Sequence, residues 1–277
     1  MNADLHCHST VSDGLLSPTA VVERAKMNGV ELLALTDHDE LGGLDEAIAA
    51  AQTGGLRFVT GTEISVSWGD DQTVHIVALN FDHRHPGLVA GLGRVRGGRD
   101  ARAGRMAEEL AKHGIDNAYA GALKYAGNPA LISRAHFARY IVERGFAHDV
   151  KSVFDHWLAK GKPGYVSHPW AELSEALGWI EAAGGVAVIA HPGRYRLSSA
   201  ERRELYIAFK ALGGQGIEVI SGSHNDAEMR EVASVAREFG FLASRGSDFH
   251  GPGESYIDIG RLGPLPPDLT PIWQGWR

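Results

Sequence analysis

The chain has 277 residues, with 27 Lys plus Arg set against 34 Asp plus Glu for a formal charge of −7. One cysteine, Cys7, excludes an intramolecular disulfide and thiolate-only metal sites, and suits a reducing, cytoplasmic setting. No apolar run reaches the ~18–20 residues of a membrane span, and Met1-Asn2-Ala3-Asp4 opens neither a basic nor an apolar leader, so no secretory signal is expected. The 14 His among 35 Gly point instead to imidazole and carboxylate chemistry on turn-rich loops.

Short β-rich runs alternate with helical patterns. The first run, Asn2–His8, ends in His6-Cys7-His8, and the period of two puts both imidazoles on one face. Asp13 follows before Gly14, a position that ordinary turn chemistry also favours. Ser17-Pro18 reads as an N-cap and first-turn proline for a helix over Pro18–Asn28, closed by Gly29. The run Glu31–Thr36 delivers Asp37-His38. A helix over Leu44–Gln52 precedes the run Arg57–Glu63, which ends on Glu63. His75 lies inside the run Thr73–Leu79, where an inward imidazole is also an ordinary core residue.

The alternation breaks between about Leu92 and Tyr165, where helical patterns cover Arg99–His113, Ser133–Arg144 and Val150–Lys160. It resumes with a helix over Ser174–Ala183 and the wholly apolar run Val186–Ala190, as a strand buried on both faces requires. His191-Pro192 follows directly. A helix over Ala200–Leu212 leads to the run Gly216–Ile220, with His224 in the loop beyond. A helix over Asp226–Glu238 and the run Phe241–Ser244 then lead to Asp248-Phe249-His250. Seven strands alternating with helices argue for the α/β class and a parallel barrel. Residues 1–93 and 166–277 form that barrel, and 94–165 are expected to be a helical insertion.

Charge follows the same division. Arg94 to Lys162 hold 13 basic and 7 acidic residues, net +6, and the remainder is −13. A basic lobe on an acidic protein suits a small anionic ligand, such as a phosphorylated one or a short nucleic-acid end. A solvated helical surface is the plainer reading. His6, His8, Asp13, His38, Glu63, His75, His191, Asp248 and His250 all fall at or just beyond strand ends, where a parallel barrel keeps its active site. Nine ligands exceed one metal and suggest two or three, and the His/Asp/Glu mixture suits Mn²⁺, Fe²⁺ or Zn²⁺.

In this order the residues resemble the PHP (polymerase and histidinol phosphatase) superfamily of metal-dependent phosphoesterases. The resemblance implies a distorted seven-stranded (β/α)7 barrel holding three metals, manganese first among the candidates. It implies that His6, His8, Glu63 and Asp248 hold the first metal, and Asp13, His38 and His250 the second. Glu63 would bridge to the third with His75 and His191. Activated water would be the nucleophile, with His38, Glu63 and His250 at the reaction centre.

The stretches Asp4–Gly14, Leu35–Asp39, Ile132–Arg139 and Gly161–Val166 resemble a bacterial PHP branch. Its members act as nucleoside 3',5'-bisphosphate phosphatases and as 5'→3' exonucleases on short RNA. The implied substrate is a 3',5'-bisphosphorylated nucleotide or a short RNA 5' end, with no membrane and no obligate protein partner. Arg99 and Arg102, three apart on a helix, and Ser133-Arg134 at a helix start are the candidate phosphate contacts. Lys162 and Arg194 are weaker ones. His224 is the candidate proton donor or phosphate contact on the leaving side, and Asp37 a residue that orients a ligand. Histidinol phosphate phosphatase, a non-catalytic metal-binding module and a C–N-cleaving amidohydrolase are the alternatives.

Overall fold

The structure, a computed structural model, describes residues 1–69 and 72–276. Its strands are β1 (Ala3–Asp4), β2 (Leu32–Leu35), β3 (Arg57–Trp68), β4 (Gln72–Leu79), β5 (Ala171–Glu172), β6 (Val186–Ile189), β7 (Gly216–Ser221) and β8 (Leu242–Gly246). Its helices are α1 (Pro18–Met27), α2 (Leu44–Gly54), α3 (Pro86–Arg96), α4 (Arg99–Ala111) and α5 (Ala118–Leu123). They continue with α6 (Arg134–Glu143), α7 (Val150–Val153), α8 (Leu173–Ala182), α9 (Ser199–Ala211) and α10 (Asp226–Phe239).

Seven strands follow one another in the order β1-β2-β3-β4-β6-β7-β8, and the short β5 pairs with β3 outside that path. Leu5 N–H donates to Arg245 O at 3.0 Å and His8 N–H to Phe249 O at 2.9 Å, which brings β8 back onto β1 and nearly closes a barrel. The strands are not uniformly parallel, as the alternation had suggested. β4 is antiparallel to both β3 and β6. The reason is covalent: β3 ends at Trp68 and β4 starts at Gln72, far short of the dozen or more residues a parallel crossover needs. The reversal places His75, near the start of β4, at the barrel end where the parallel strands finish.

Period-two alternation divides the strand side chains between two cores. Leu33, Leu35, Ile76 and Ala78 face outward and pack with helix residues such as Val21, Ala47, Leu177 and Phe209. Leu32, Ala34, Val77, Leu79 and Val188 face inward and pack with Ile272 and Trp273 of the C-terminal segment. Ile272 N–H donates to Ala243 O at 2.9 Å, so this segment stoppers the barrel end away from the histidines.

Helices α4 to α7 share a separate core of Met106, Leu110, Ile115, Phe137, Ile141, Val153 and Leu158. Leu88 and Leu92 of α3 belong to the barrel core. The single helix expected over Val150–Lys160 is interrupted. After α7 the backbone widens into a π turn over Phe154–Leu158, where Ala159 N–H reaches Phe154 O at 3.0 Å.

Candidate metal centre

The barrel end brings eight of the nine strand-end residues into three adjoining groups, with His191 beside the third. His6, His8, Glu63 and Asp248 form one, His8, Asp13, His38 and His250 a second, and His38, Glu63 and His75 a third. In the first, His6 Nε2 lies 3.2 Å from Glu63 Oε2 and 3.6 Å from Asp248 Oδ1, and His8 Nε2 lies 3.4 and 3.3 Å from the same oxygens. In the second, Asp13 stands 3.8 Å from His38 Nε2 and 3.4 Å from His250 Nε2. In the third, Glu63 Oε1 meets His75 Nδ1 at 2.7 Å, and the same oxygen meets His191 Nε2 at 2.9 Å beside the group.

The backbone is shaped to deliver these groups. Asp39, His191 and Asp248 have φ of 52°, 26° and 54°, conformations that non-glycine residues avoid and that cluster at functional sites. Each is fixed by its own N–H: Asp39 to Glu63 O at 2.9 Å, Asp248 to His6 O at 2.8 Å, and His191 to Glu218 Oε2 at 2.6 Å. Gly246 is required by space, since a Cβ there would stand 2.2 Å from His6 Cβ. Asp37 accepts from Ser9 N–H at 2.8 Å, Ser9 Oγ at 2.6 Å and Ser12 Oγ at 2.6 Å. It thereby holds the loop that carries Asp13.

The electrostatics suit cations. Burial would raise Glu63, yet His75, His38 and His6 keep it well below its ordinary value. Burial would raise Asp248 too, and His6, His8 and Arg194 hold it well below. Burial, with His250 and His38 beside it, lowers His8 to about 3, and burial with Arg194 lowers His191 to about 4. Burial lowers His75 as well. Ionised carboxylates and neutral imidazoles are the forms that ligate metals. Burial would lower His6, His38 and His250, yet the facing carboxylates raise them, so these three have to give up a proton to ligate. Among the described residues, His6 Nε2, both ring nitrogens of His8, His38 Nδ1 and Glu63 Oε2 are buried with no hydrogen-bond partner. Leaving such groups unsatisfied is costly, and a divalent cation between them satisfies several together. The residues therefore fit a multinuclear centre.

Above the centre lies a cavity of about 380 Å³, lined by seven of the nine candidate ligands (all but His6 and His8), by Arg99, Arg102, Ser133, Arg134 and Arg194, and by Phe154, Trp170 and Tyr256. The arginines differ in availability. Arg99 is buried and donates to Asp39 Oδ2, which also accepts from Ser65 Oγ at 2.9 Å, so it ties α4 to the barrel rather than standing free for a ligand. Arg102 donates to Val166 O at 3.0 Å and, like Arg99, lies over the Trp170 ring. Arg134 lies over the Phe154 ring. Neither Arg102 nor Arg134 has a carboxylate partner among the described residues. Burial, then repulsion from Arg134 and Arg99, lowers Arg102 to about 9. Ser133 caps α6 through Ala135 N–H at 3.1 Å and donates to Asp13 Oδ2 at 3.0 Å, so it faces a candidate ligand. Arg194, half exposed, donates to Asp248 Oδ2 at 2.6 Å.

His224 departs from expectation. It is buried, it does not line the cavity, and its Nε2 accepts from Gly193 N–H at 3.0 Å. That lone pair is spent on the turn after His191, so through Nε2 the side chain braces a loop. Residues that sequence reasoning passed over include Glu218, which touches His6 and His191, and the Arg139–Glu254 pair. Arg139 also donates to Asp13 O at 2.6 Å. An acid in a strand buried on both faces must have partners, and this was the available sign for Glu218.

The PHP domain family profile matches residues 4–221. The chain belongs to the PHP domain family. A Chromobacterium violaceum relative, "3',5'-nucleoside bisphosphate phosphatase", is 52% identical over 99% of this chain and 95% of its own length. A Haemophilus influenzae relative, "5'-3' exoribonuclease", is 42% identical over 98% of this chain and 97% of its own length. A solved C. violaceum structure, described as an amidohydrolase with bound sulfate and no metal, superposes with a TM-score of 0.95 at 51% identity. It covers 99% of this chain and 95% of its own. A Bifidobacterium adolescentis structure named among metal-dependent phosphoesterases gives a TM-score of 0.80 at 30% identity, covering 98% and 92%. This PHP-family chain is a metal-dependent hydrolase of phosphate esters. Among the described residues no helix is long and apolar enough to cross a membrane.

Proposed function

We propose that this PHP chain removes the 3'-phosphate from nucleoside 3',5'-bisphosphates, and that the same site acts on the 5' end of short RNA. The observation that carries this is one cavity lined by two unlike sets of groups. Imidazoles and carboxylates line it together with guanidiniums that repel one another. A ligand with two phosphates satisfies both sets. A 5'-phosphorylated RNA end presents the same pair, its terminal phosphate and the next phosphodiester, so one geometry serves both activities.

In this reading three divalent ions, manganese first among them, sit in the three residue groups. When bound, such ions supply positive charge against the phosphoryl oxygens and an acidified water as nucleophile. The chain's residues do the rest. Arg102 and Arg134 grip the phosphate that is retained, as planar multi-donor groups do. Arg99, anchored to Asp39, holds their helix in place and adds charge to the wall. Trp170 and Phe154 back the guanidiniums and keep water from them. Residues 94–165 act as the substrate cap on the barrel formed by 1–93 and 166–277. A cytoplasmic location suits nucleotide substrates and the reduced, buried thiol of Cys7.

The test is phosphate release with Mn²⁺ from adenosine 3',5'-bisphosphate, 3'-AMP, 5'-AMP and histidinol phosphate. The bisphosphate is expected to be the best substrate, and faster histidinol phosphate turnover would overturn the assignment. Arg134→Ala should cost about 10- to 100-fold in kcat/KM on the bisphosphate, the worth of one charge-assisted contact. It should cost little on an aryl monophosphate, which has no second phosphate to hold. Equal losses on both would put Arg134 at the reacting phosphoryl group instead.

A further inference from the structure

We propose that Glu218 is a positioning residue that sets the ligands of two metal groups at once, a role that rests on the metal-centre reading above. Among the described residues β7 is the one strand of the barrel path that supplies no candidate ligand. It supplies this carboxylate instead, with the side chain 3% exposed.

Both oxygens of Glu218 are committed. Oε1 lies 3.0 Å from His6 Nδ1, and Oε2 accepts from the backbone N–H of His191 at 2.6 Å. An ionised carboxylate only accepts. His6 Nδ1 therefore carries a proton in the metal-binding state, and Nε2 keeps its lone pair. Nε2 is the nitrogen that faces Glu63 and Asp248. The other oxygen pins His191 at its φ of 26°, from which His191 Nε2 meets Glu63 Oε1 at 2.9 Å. One side chain thus fixes a tautomer in the first group and a strained backbone beside the third. The neighbouring strand is cut to fit it, since a Cβ at Gly246 would come within 2.6 Å of Glu218 Oε1.

Glu218→Gln keeps the shape but offers one acceptor and one donor. One of the two N–H groups then faces another N–H, or the His6 ring switches tautomer and turns a proton toward the metal. Metal affinity, measured with Mn²⁺ or Zn²⁺ alone against a chromophoric chelator, is expected to fall about 10- to 100-fold. The far-UV spectrum should stay as it is, and saturating metal should restore full metal occupancy. Affinity within twofold of the unaltered chain would overturn the role.

Should the variant misfold, the unaltered chain decides. Long-range ¹H–¹⁵N spectra of the zinc-loaded protein, with His6→Asn to identify the resonances, should show His6 protonated at Nδ1 and zinc-shifted at Nε2. Zinc on Nδ1 would overturn the proposal. Neither readout uses a phosphate ester, so a wrong substrate leaves both intact. Absence of any metal binding by the unaltered chain would overturn this role and the metal-centre reading together.

Discussion

Glu63 gathers more of the centre than any other side chain. Its Oε1 faces His75 and His191, and its Oε2 faces His6, His8 and His38. Glu63→Gln should therefore remove more activity and more bound metal than His75→Asn, which touches one group only. Elemental analysis beside a phosphate-release assay checks this, and equal mild losses would contradict it. A pH dependence follows from His250. Burial lowers its pKa, but Asp13 and Asp248 outweigh burial and raise it to about 9 in the metal-free chain. Metal binding has to displace that proton. Affinity should rise with pH below about 9, by about tenfold per unit for the proton released at His250 and more steeply where His6 and His38, also raised against burial by facing carboxylates, release theirs. Isothermal titration in buffers of different ionisation heat would count the protons, and a flat profile from pH 6 to 8 would contradict the prediction. Most of the candidate ligands were legible because they close or follow an apolar run, as His191 and Asp248 do, whereas Asp13 sits in a loop and His75 inside a strand, where the sign is weaker. Glu218 and the tether of Arg99 to Asp39 were not. Both depend on which groups meet across the barrel, and a single sequence does not record that.

At the scale of elements, α6 stands out because it touches the centre as well as the cavity. Ser133 donates to the Asp13 carboxylate, and Arg139 donates to Asp13 O and, through Nε and Nη2, to Glu254 at 2.8 Å each. Arg139→Ala breaks a largely buried pair, which costs about 3–5 kcal/mol when one partner is removed. It should lower the melting temperature by several degrees and also weaken metal binding through Asp13, so α6 is more than a grip on substrate. A variant that melts early yet binds metal normally would confine Arg139 to stability. The helical patterns over Pro18–Asn28 and Asp226–Glu238 were readable from their caps, Ser17 and Gly240, and the structure ends those helices within a residue of the expected bounds. The reversal of β4 was readable too, from the few residues between Trp68 and Gln72, but hydrophobic alternation outweighed it. The π turn after α7 left no trace, because its widening depends on packing against the rest of the insertion.

For the molecule as a whole, charge and shape agree. The net +6 stretch from Arg94 to Lys162 hangs over a barrel whose remainder is −13, so the anionic ligand is drawn to the cap while the barrel draws cations. Both must arrive from one side. Ile272 and Trp273 pack against the inner-face residues of the strands and fill the far end, which leaves the cavity mouth as the common doorway. Sharing one doorway, ions are expected to load before the ligand lands, and a seated ligand to block their escape. Inactivation by excess EDTA should slow several-fold when inorganic phosphate saturates the cavity; an unchanged rate would mean that ions leave by another path. With the base of the barrel closed by packed side chains, occupancy of the cavity is expected to set how long bound metals stay.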